Sequence, residues 1–209
     1  MAETGSALEN LMGGVRGGFH PWPWEPRSVA AKAIVASLVL GCLAALGQSS
    51  PDYTWPQHPR LTWDDFKASP PKSASYPSAV SDTGFRYQLV RRNGLLDIEA
   101  AAFFSPGGSW VKPDGKTPEL LRHEQGHFDM AELYALMLRK AILDSKVGCS
   151  DTASANAAGE RMVSEFQKKW QDAEREYEQD TTYGTDLGKQ EAASKRTAAA
   201  LEEMSPYQH

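Results

Sequence analysis

The stretch TPELLRHEQGHFDMAELYALMLRKAILDS, residues 117–145, decides how the rest of the chain is read. Thr117 offers a side-chain oxygen to the free amides that open a helix, and Pro118 suits the first helical position, where its missing N–H costs nothing. The spacing predicts a helix from there to about Ser145, stopping before Gly148. Inside it, residues 123–127 read His-Glu-Gln-Gly-His. Histidines four apart project from one helix face about a turn from each other, so both imidazoles can reach a single metal ion. Glu124 sits beside that face, within reach of a water on the metal. A tetrahedral zinc with two histidines, a third protein ligand and one open position lowers the pKa of its water toward about 7, and a neighbouring carboxylate takes the proton during attack on a carbonyl. The competing reading is two surface histidines on an amphipathic helix.

Upstream, the apolar period changes from helical to alternating. Phe85, Tyr87 and Leu89 alternate with Arg86 and Gln88, and Leu96, Ile98 and Ala100 alternate with Asp97 and Glu99. This is the period of half-buried strands. Asn93-Gly94 lies between the two runs, and both residues tolerate the positive φ of a type I′ turn, so the segment reads as an antiparallel hairpin. Ser109-Trp110-Val111 reads as a further short strand, an edge on which an extended peptide substrate can pair. Downstream, Met162, Phe166, Trp170, Ala173 and Tyr177 make an apolar stripe along a second helix, read as core packing, that ends near Asp180 to Gly184. Lys189 to Met204 reads as a third, less buried helix.

The composition narrows the function. Lys and Arg number 22 against 27 Asp and Glu, a formal charge of −5, so nothing draws phosphate backbones and nucleic acid is excluded as a partner. With 41% hydrophobic and 23% charged residues the chain is globular, and its two cysteines build no disulfide scaffold. Arg16, Arg27 and Lys32 precede the apolar stretch Ala33 to Leu46, which is shorter than the roughly 20 residues of a membrane span and suits the core of a secretory signal. Ala45 and Gly47 offer a small-residue cleavage point before Gln48. Residues 1–47 are therefore expected to be an export signal, with lipidation at Cys42 or an uncleaved anchor as alternatives. Each sends the bulk of the chain out of the cytoplasm, to a secreted or periplasmic location, with Cys149 left alone in an oxidising compartment.

Histidine is the scarce resource. Of the five, His20 leaves with the signal, His58 lies in the Pro/Ser-rich lead of residues 48–82, and His209 ends the chain. Only His123 and His127 remain, so a zinc site needs an oxygen ligand as well. A metzincin would carry a glycine and a third histidine where Met130 and Leu133 stand, which excludes that class. Glu132, five residues past His127, points about 140° away around the helix. Glu160, Glu165 or Glu174 on the second helix can supply the ligand, and further candidates cluster in Tyr177-Glu178-Gln179-Asp180-Thr181-Thr182-Tyr183-Gly184.

LTWDDF at 61–66, SWVK at 109–112, LLRHEQGHFDMAELYALMLR at 120–139 and the YxxxTxxG frame at 177–184 followed by Gln190 resemble the bacterial domain of unknown function 922 family over about residues 60–195. The resemblance implies a secreted zinc-dependent protease. In that family the segment after the second helix reads Tyr-Asp-x-x-Thr-x-His-Gly, and the resemblance implies that its histidine completes the zinc site. Here Glu178 replaces the aspartate, Tyr183 replaces the histidine, and Ala193 stands where a tryptophan is usual. Asp180-Thr181-Thr182-Tyr183-Gly184 is also similar to the D-x-x-Y-G end of the aspzincin motif. That likeness implies Asp180 as the third zinc ligand and Tyr183 as a donor to the developing oxyanion. The expected ligand set is His123, His127 and Asp180, with Tyr183 or a helix glutamate as alternatives.

The expected fold is α+β and zincin-like, a domain at 83–204 with a small antiparallel sheet packed on two long helices, the first carrying H-E-x-x-H. Asp129 and Glu132 are expected to make structural pairings, with Arg122 among the partners, and Trp63 and Trp110 to line the core or cleft. Two functions follow from this: an exported zinc metalloprotease acting on protein or peptide with Glu124 as general base, or a non-catalytic cell-envelope protein with a structural or degenerate zinc site.

Overall fold

The computed structural model describes residues 51–72 and 77–208, so the export signal read at the amino terminus, Cys42, His20 and His209 lie outside the described residues. Five strands, β1 (Tyr53–Thr54), β2 (Ala79–Val80), β3 (Thr83–Arg92), β4 (Leu95–Phe104) and β5 (Trp110–Val111), precede three helices, α1 (Pro118–Ser145), α2 (Thr152–Asp180) and α3 (Leu187–Glu203). The fold is α+β, a small antiparallel sheet with three helices. Among the described residues no helix is long and apolar enough to cross a membrane.

The hairpin forms where the sequence places it. β3 and β4 run antiparallel in register from Thr83↔Phe104 to Arg92↔Leu95. The turn is Asn93-Gly94 with φ of 54° and 77°, the left-handed pair that a two-residue I′ loop requires. β1 adds to the far side of β4, giving the order β1-β4-β3. One face of β4, from Leu96 and Ile98 through Ala102 to Phe104, is buried, and α1 packs against it. Tyr87 departs from the expected alternation by staying 36% exposed. Its hydroxyl reaches past the rim to donate to Glu160 on α2, at 2.9 Å.

The helices obey their local signals. Thr117 accepts from Leu120 N at 3.1 Å to open α1, and Lys146 closes it in the left-handed conformation at φ 49°. Asp151 and Asp186 cap α2 and α3 in the same way as Thr117. Gly159 lets α2 cross the hairpin closely, because a methyl there would lie 2.8 Å from Leu89 Cδ1.

Residues 51–72 and 77–82, within the 48–82 stretch read from sequence as a lead, are built into the same unit as the rest of the described chain. β1 pairs with β4, β2 pairs with β5, and the lead is pinned to α1 by three side-chain bonds. Trp55 Nε1 donates to Asp129 at 2.8 Å, Leu61 N donates to Gln125 Oε1 at 2.8 Å, and Gln125 Nε2 donates to the Pro59 carbonyl at 3.1 Å. Leu61, Phe66, Phe104, Phe128 and Ala131 then close an aromatic-rich core that Trp63 packs against. Each fully buried aromatic there contributes on the order of 1.5–3 kcal/mol. β5 is an edge strand, as read from the sequence, of the two-stranded sheet β2-β5. β2 occupies one side, and on the other the backbone carbonyl of Ser109, just before the strand, accepts from Ala68 N at 2.9 Å.

Candidate metal centre

α1 carries His123 and His127 one turn apart, both buried. Their Nε2 atoms stand 3.4 Å from each other. The end of α2 crosses in front of them with Glu174, Tyr177 and Glu178 on one flank, spaced i, i+3 and i+4. Glu178 brings Oε2 to 3.4 Å from His123 Nε2 and Oε1 to 3.5 Å from His127 Nε2. Burial opposes ionisation of Glu178, but the two facing imidazoles outweigh it and hold the carboxyl down at about 2.

The outer nitrogens are committed elsewhere. His123 Nδ1 lies 3.0 Å from Gln190 Oε1, and His127 Nδ1 lies 2.5 Å from Glu174 Oε2. Trp170 Nε1 donates to the other Glu174 oxygen at 3.1 Å. Burial alone would depress the basicity of His127. Glu174, with Glu178 and Glu124 nearby, raises its pKa well above an ordinary imidazole. With each Nδ1 set against an oxygen, each Nε2 points into the cluster, toward the other imidazole and the Glu178 carboxylate.

Two imidazole nitrogens and a carboxylate converging on one point are the donor set of a metal ion, and Glu178 Oε2 is buried there with no hydrogen-bond partner. Tetrahedral bonds of about 2.0–2.1 Å place ligand atoms about 3.3 Å apart. The two imidazole nitrogens stand at that spacing, 3.4 Å apart, and the Glu178 carboxylate straddles them, with Oε2 3.4 Å from His123 Nε2 and Oε1 3.5 Å from His127 Nε2. His123, His127 and Glu178 can therefore hold a metal ion.

Glu124 is buried beside the cluster, and Ser81, immediately after β2, donates to its Oε2 at 2.7 Å. Tyr177 stacks on His123 with ring centroids 5.0 Å apart and donates to the His123 carbonyl at 3.0 Å. Gly126 is required because a methyl there would collide with the Tyr177 hydroxyl. After α2 the chain turns through Thr182, Tyr183 and Gly184, all with positive φ. A methyl on Gly184 would lie 2.8 Å from His123 Cγ, so only glycine allows this approach. Thr181 pins the turn, donating to Tyr177 O at 2.7 Å and accepting from Gly184 N at 3.2 Å.

The carboxylate of the cluster is thus Glu178, not Asp180. Two residues on, Asp180 lies about 160° away around the helix and is exposed. Tyr183 is 61% exposed, and the cluster does not include it. Glu174 supports a histidine from behind, Glu160 meets Tyr87, and Glu165 pairs with Lys169. Glu132 accepts from Ala102 N at 2.8 Å, and Asp129 holds Trp55, so neither pairs with Arg122, which faces Glu191 at 3.9 Å. His58 meets Asp65 at 3.4 Å, away from the cluster. Sequence reasoning held Glu174 and the segment with Glu178 as candidates and Gln190 as part of the family frame, but it favoured Asp180 over Glu178, gave Glu174 and Gln190 no supporting role, and missed Ser81. The i, i+3, i+4 grouping around Tyr177 was the available signal for the two glutamates.

Residues 109–184 match a family profile described as bacterial protein of unknown function (DUF922). The matched segment contains both histidines, Glu124, Glu174 and Glu178, and leaves out Ser81 and Gln190. No curated protein and no solved structure matches the chain.

Proposed function

We propose that this chain, a member of the DUF922 family through residues 109–184, is an exported zinc-dependent peptidase with a zincin-like site. The observation that carries the reading is the cluster of His123 Nε2, His127 Nε2 and the Glu178 carboxylate that faces both, with Glu124 buried beside it. Two imidazoles and one carboxylate leave a coordination position open, the pattern of catalytic rather than structural zinc. Zinc bound there supplies a Lewis acid for a peptide carbonyl and lowers the pKa of a water toward about 7.

The protein's own groups do the rest. Glu124 takes the proton from the attacking water and returns it to the departing amine. Ser81 holds one Glu124 oxygen, which fixes the carboxylate and leaves its other oxygen for the proton. Glu174 and Gln190 keep both imidazoles oriented from behind, as metal-bound histidines require. Zinc content of the purified chain and cleavage of an unstructured protein substrate test this, with Glu124→Gln beside the wild type. The expected result is about one bound zinc and a loss of roughly 10²–10⁴ in kcat for the variant. Equal cleavage by both proteins removes Glu124 from the mechanism.

A further inference from the structure

The ring of hydrogen bonds behind His123 closes on the same residue it leaves from, and every link in it has a direction. The His123 carbonyl can only accept. Tyr177 donates its single hydroxyl proton to that carbonyl, 3.0 Å away. Toward Gln190, the phenol oxygen is left able only to accept, so Gln190 must turn its amide nitrogen to it, at 2.6 Å. The other end of the amide, Oε1, then faces His123 Nδ1 at 3.0 Å and requires a proton on that nitrogen. Gln190 is fully buried, and its Nε2 makes a second, longer bond by donating to Ser194 Oγ at 3.3 Å. A flipped amide would set donor against donor at Nδ1 and acceptor against the phenol lone pairs, losing both bonds.

We infer that Gln190, directed by Tyr177, is a positioning residue that fixes the His123 tautomer with its proton on Nδ1 and its bare nitrogen toward the metal. The inference rests on the metal-centre reading above and deepens it. The two histidines are held by different devices. Glu174 behind His127 is a carboxylate and accepts whichever way it turns, whereas Gln190 accepts only in the orientation the relay imposes. The relay also explains why a residue of α3, outside the segment matched by the family profile, reaches into a centre otherwise built by α1 and α2.

The test is zinc affinity of the full chain, measured by competition with a chromogenic chelator, with thermal melting of the metal-free proteins as a control for folding. Gln190→Met keeps the volume and removes the acceptor, and is expected to weaken zinc binding about 10–100-fold. Gln190→Glu restores the acceptor and is expected to stay within a few-fold of wild type. Tyr177→Phe keeps the ring on His123 but frees the amide to turn, and is expected to weaken binding about tenfold. Proton NMR of the zinc-loaded protein should show a slowly exchanging His123 Nδ1–H in wild type and Gln190→Glu, and none in Gln190→Met. Unchanged affinity in Gln190→Met and Tyr177→Phe overturns the relay while leaving the metal centre standing. The relay is also overturned if Gln190→Glu binds as weakly as Gln190→Met, since packing alone would then explain the loss. If the wild type binds no zinc, the metal-centre reading itself falls.

Discussion

Two glutamates lie on opposite sides of α1, and the protein treats them in opposite ways. Glu132, on α1 itself, faces the sheet and is 1% exposed, with one backbone amide, Ala102 N–H, as its partner. That amide is left over where β1 ends, since Ala102 O still accepts from Trp55 N at 3.1 Å while its N–H has no strand beside it. Burial pushes the Glu132 carboxyl up to about 7, the Ala102 amide opposes the rise, and Asp129 adds to it. Glu178, arriving from α2, is also largely withdrawn from water, yet it stays at about 2 because two imidazoles face it. The difference lies in the partners as well as in depth, since the Glu178 side chain keeps 35% exposure. A single neutral donor does not keep a buried carboxylate charged, and two facing imidazoles do.

The largest effect comes from breaking the charged side of this comparison. Glu178→Gln keeps the shape and removes the charge, and zinc affinity is expected to fall on the order of 10²–10³-fold, the share of one ligand in a site of this kind. Chelator competition measures it. Wild-type affinity in Glu178→Gln would mean that another oxygen, such as one from Asp180, completes the site.

Breaking the neutral side gives a pH-dependent effect on stability. The folded-state pKa of Glu132 is raised above its unfolded value, so the fold binds a proton that the unfolded chain has released. Its stabilising contribution is complete below about 4.5 and disappears as pH rises through about 7, a change of up to about 3 kcal/mol. Glu132→Gln carries a permanently neutral group. Urea unfolding at pH 5 and pH 8 should show the wild type losing that much more stability than the variant between the two. Parallel losses in both proteins would mean that Glu132 is ionised in the fold at pH 5.

What was legible in the sequence divides along a similar line. The hairpin turn, the Thr117 cap, the extent of α1 and the pairing of His123 with His127 all depend on residues a few positions apart, and each appears where the spacing predicts. The third ligand depends on which flank of α2 meets α1. Helix phase separates Glu174 and Glu178 from Asp180, but it does not say which side is turned inward. Tyr177 was assigned to an apolar stripe and so to the core. It is buried, but its hydroxyl serves the site, and the glutamates beside it inherit that position. Ser81 and the role of Gln190 were beyond reach for the same reason, since both residues come from distant parts of the chain and share no local period with the motif.

The two positive-φ glycines extend the comparison between the metal centre and the sheet. Gly184 has φ of 77° and its backbone lies against His123. In Gly184→Ala the new methyl meets the His123 ring as well as an unfavourable backbone conformation, and a loss of about 2–3 kcal/mol is expected. Zinc affinity should fall with it, because the ring that must move is a ligand. Denaturant unfolding and chelator competition on the same sample measure both.

Gly94 has the same φ of 77°, but a methyl there meets nothing within 4 Å. Only the backbone conformation is then charged to the substitution, about 1–2 kcal/mol for a left-handed residue that is not glycine. Gly94→Ala should therefore lower stability by about that amount and leave zinc affinity at the wild-type value. The pair of alanine variants separates conformational strain from contact at equal φ. If Gly94→Ala also weakened zinc binding, the hairpin and the metal centre would be coupled through the packing of β4 on α1, and the local character assigned here to the site would be wrong.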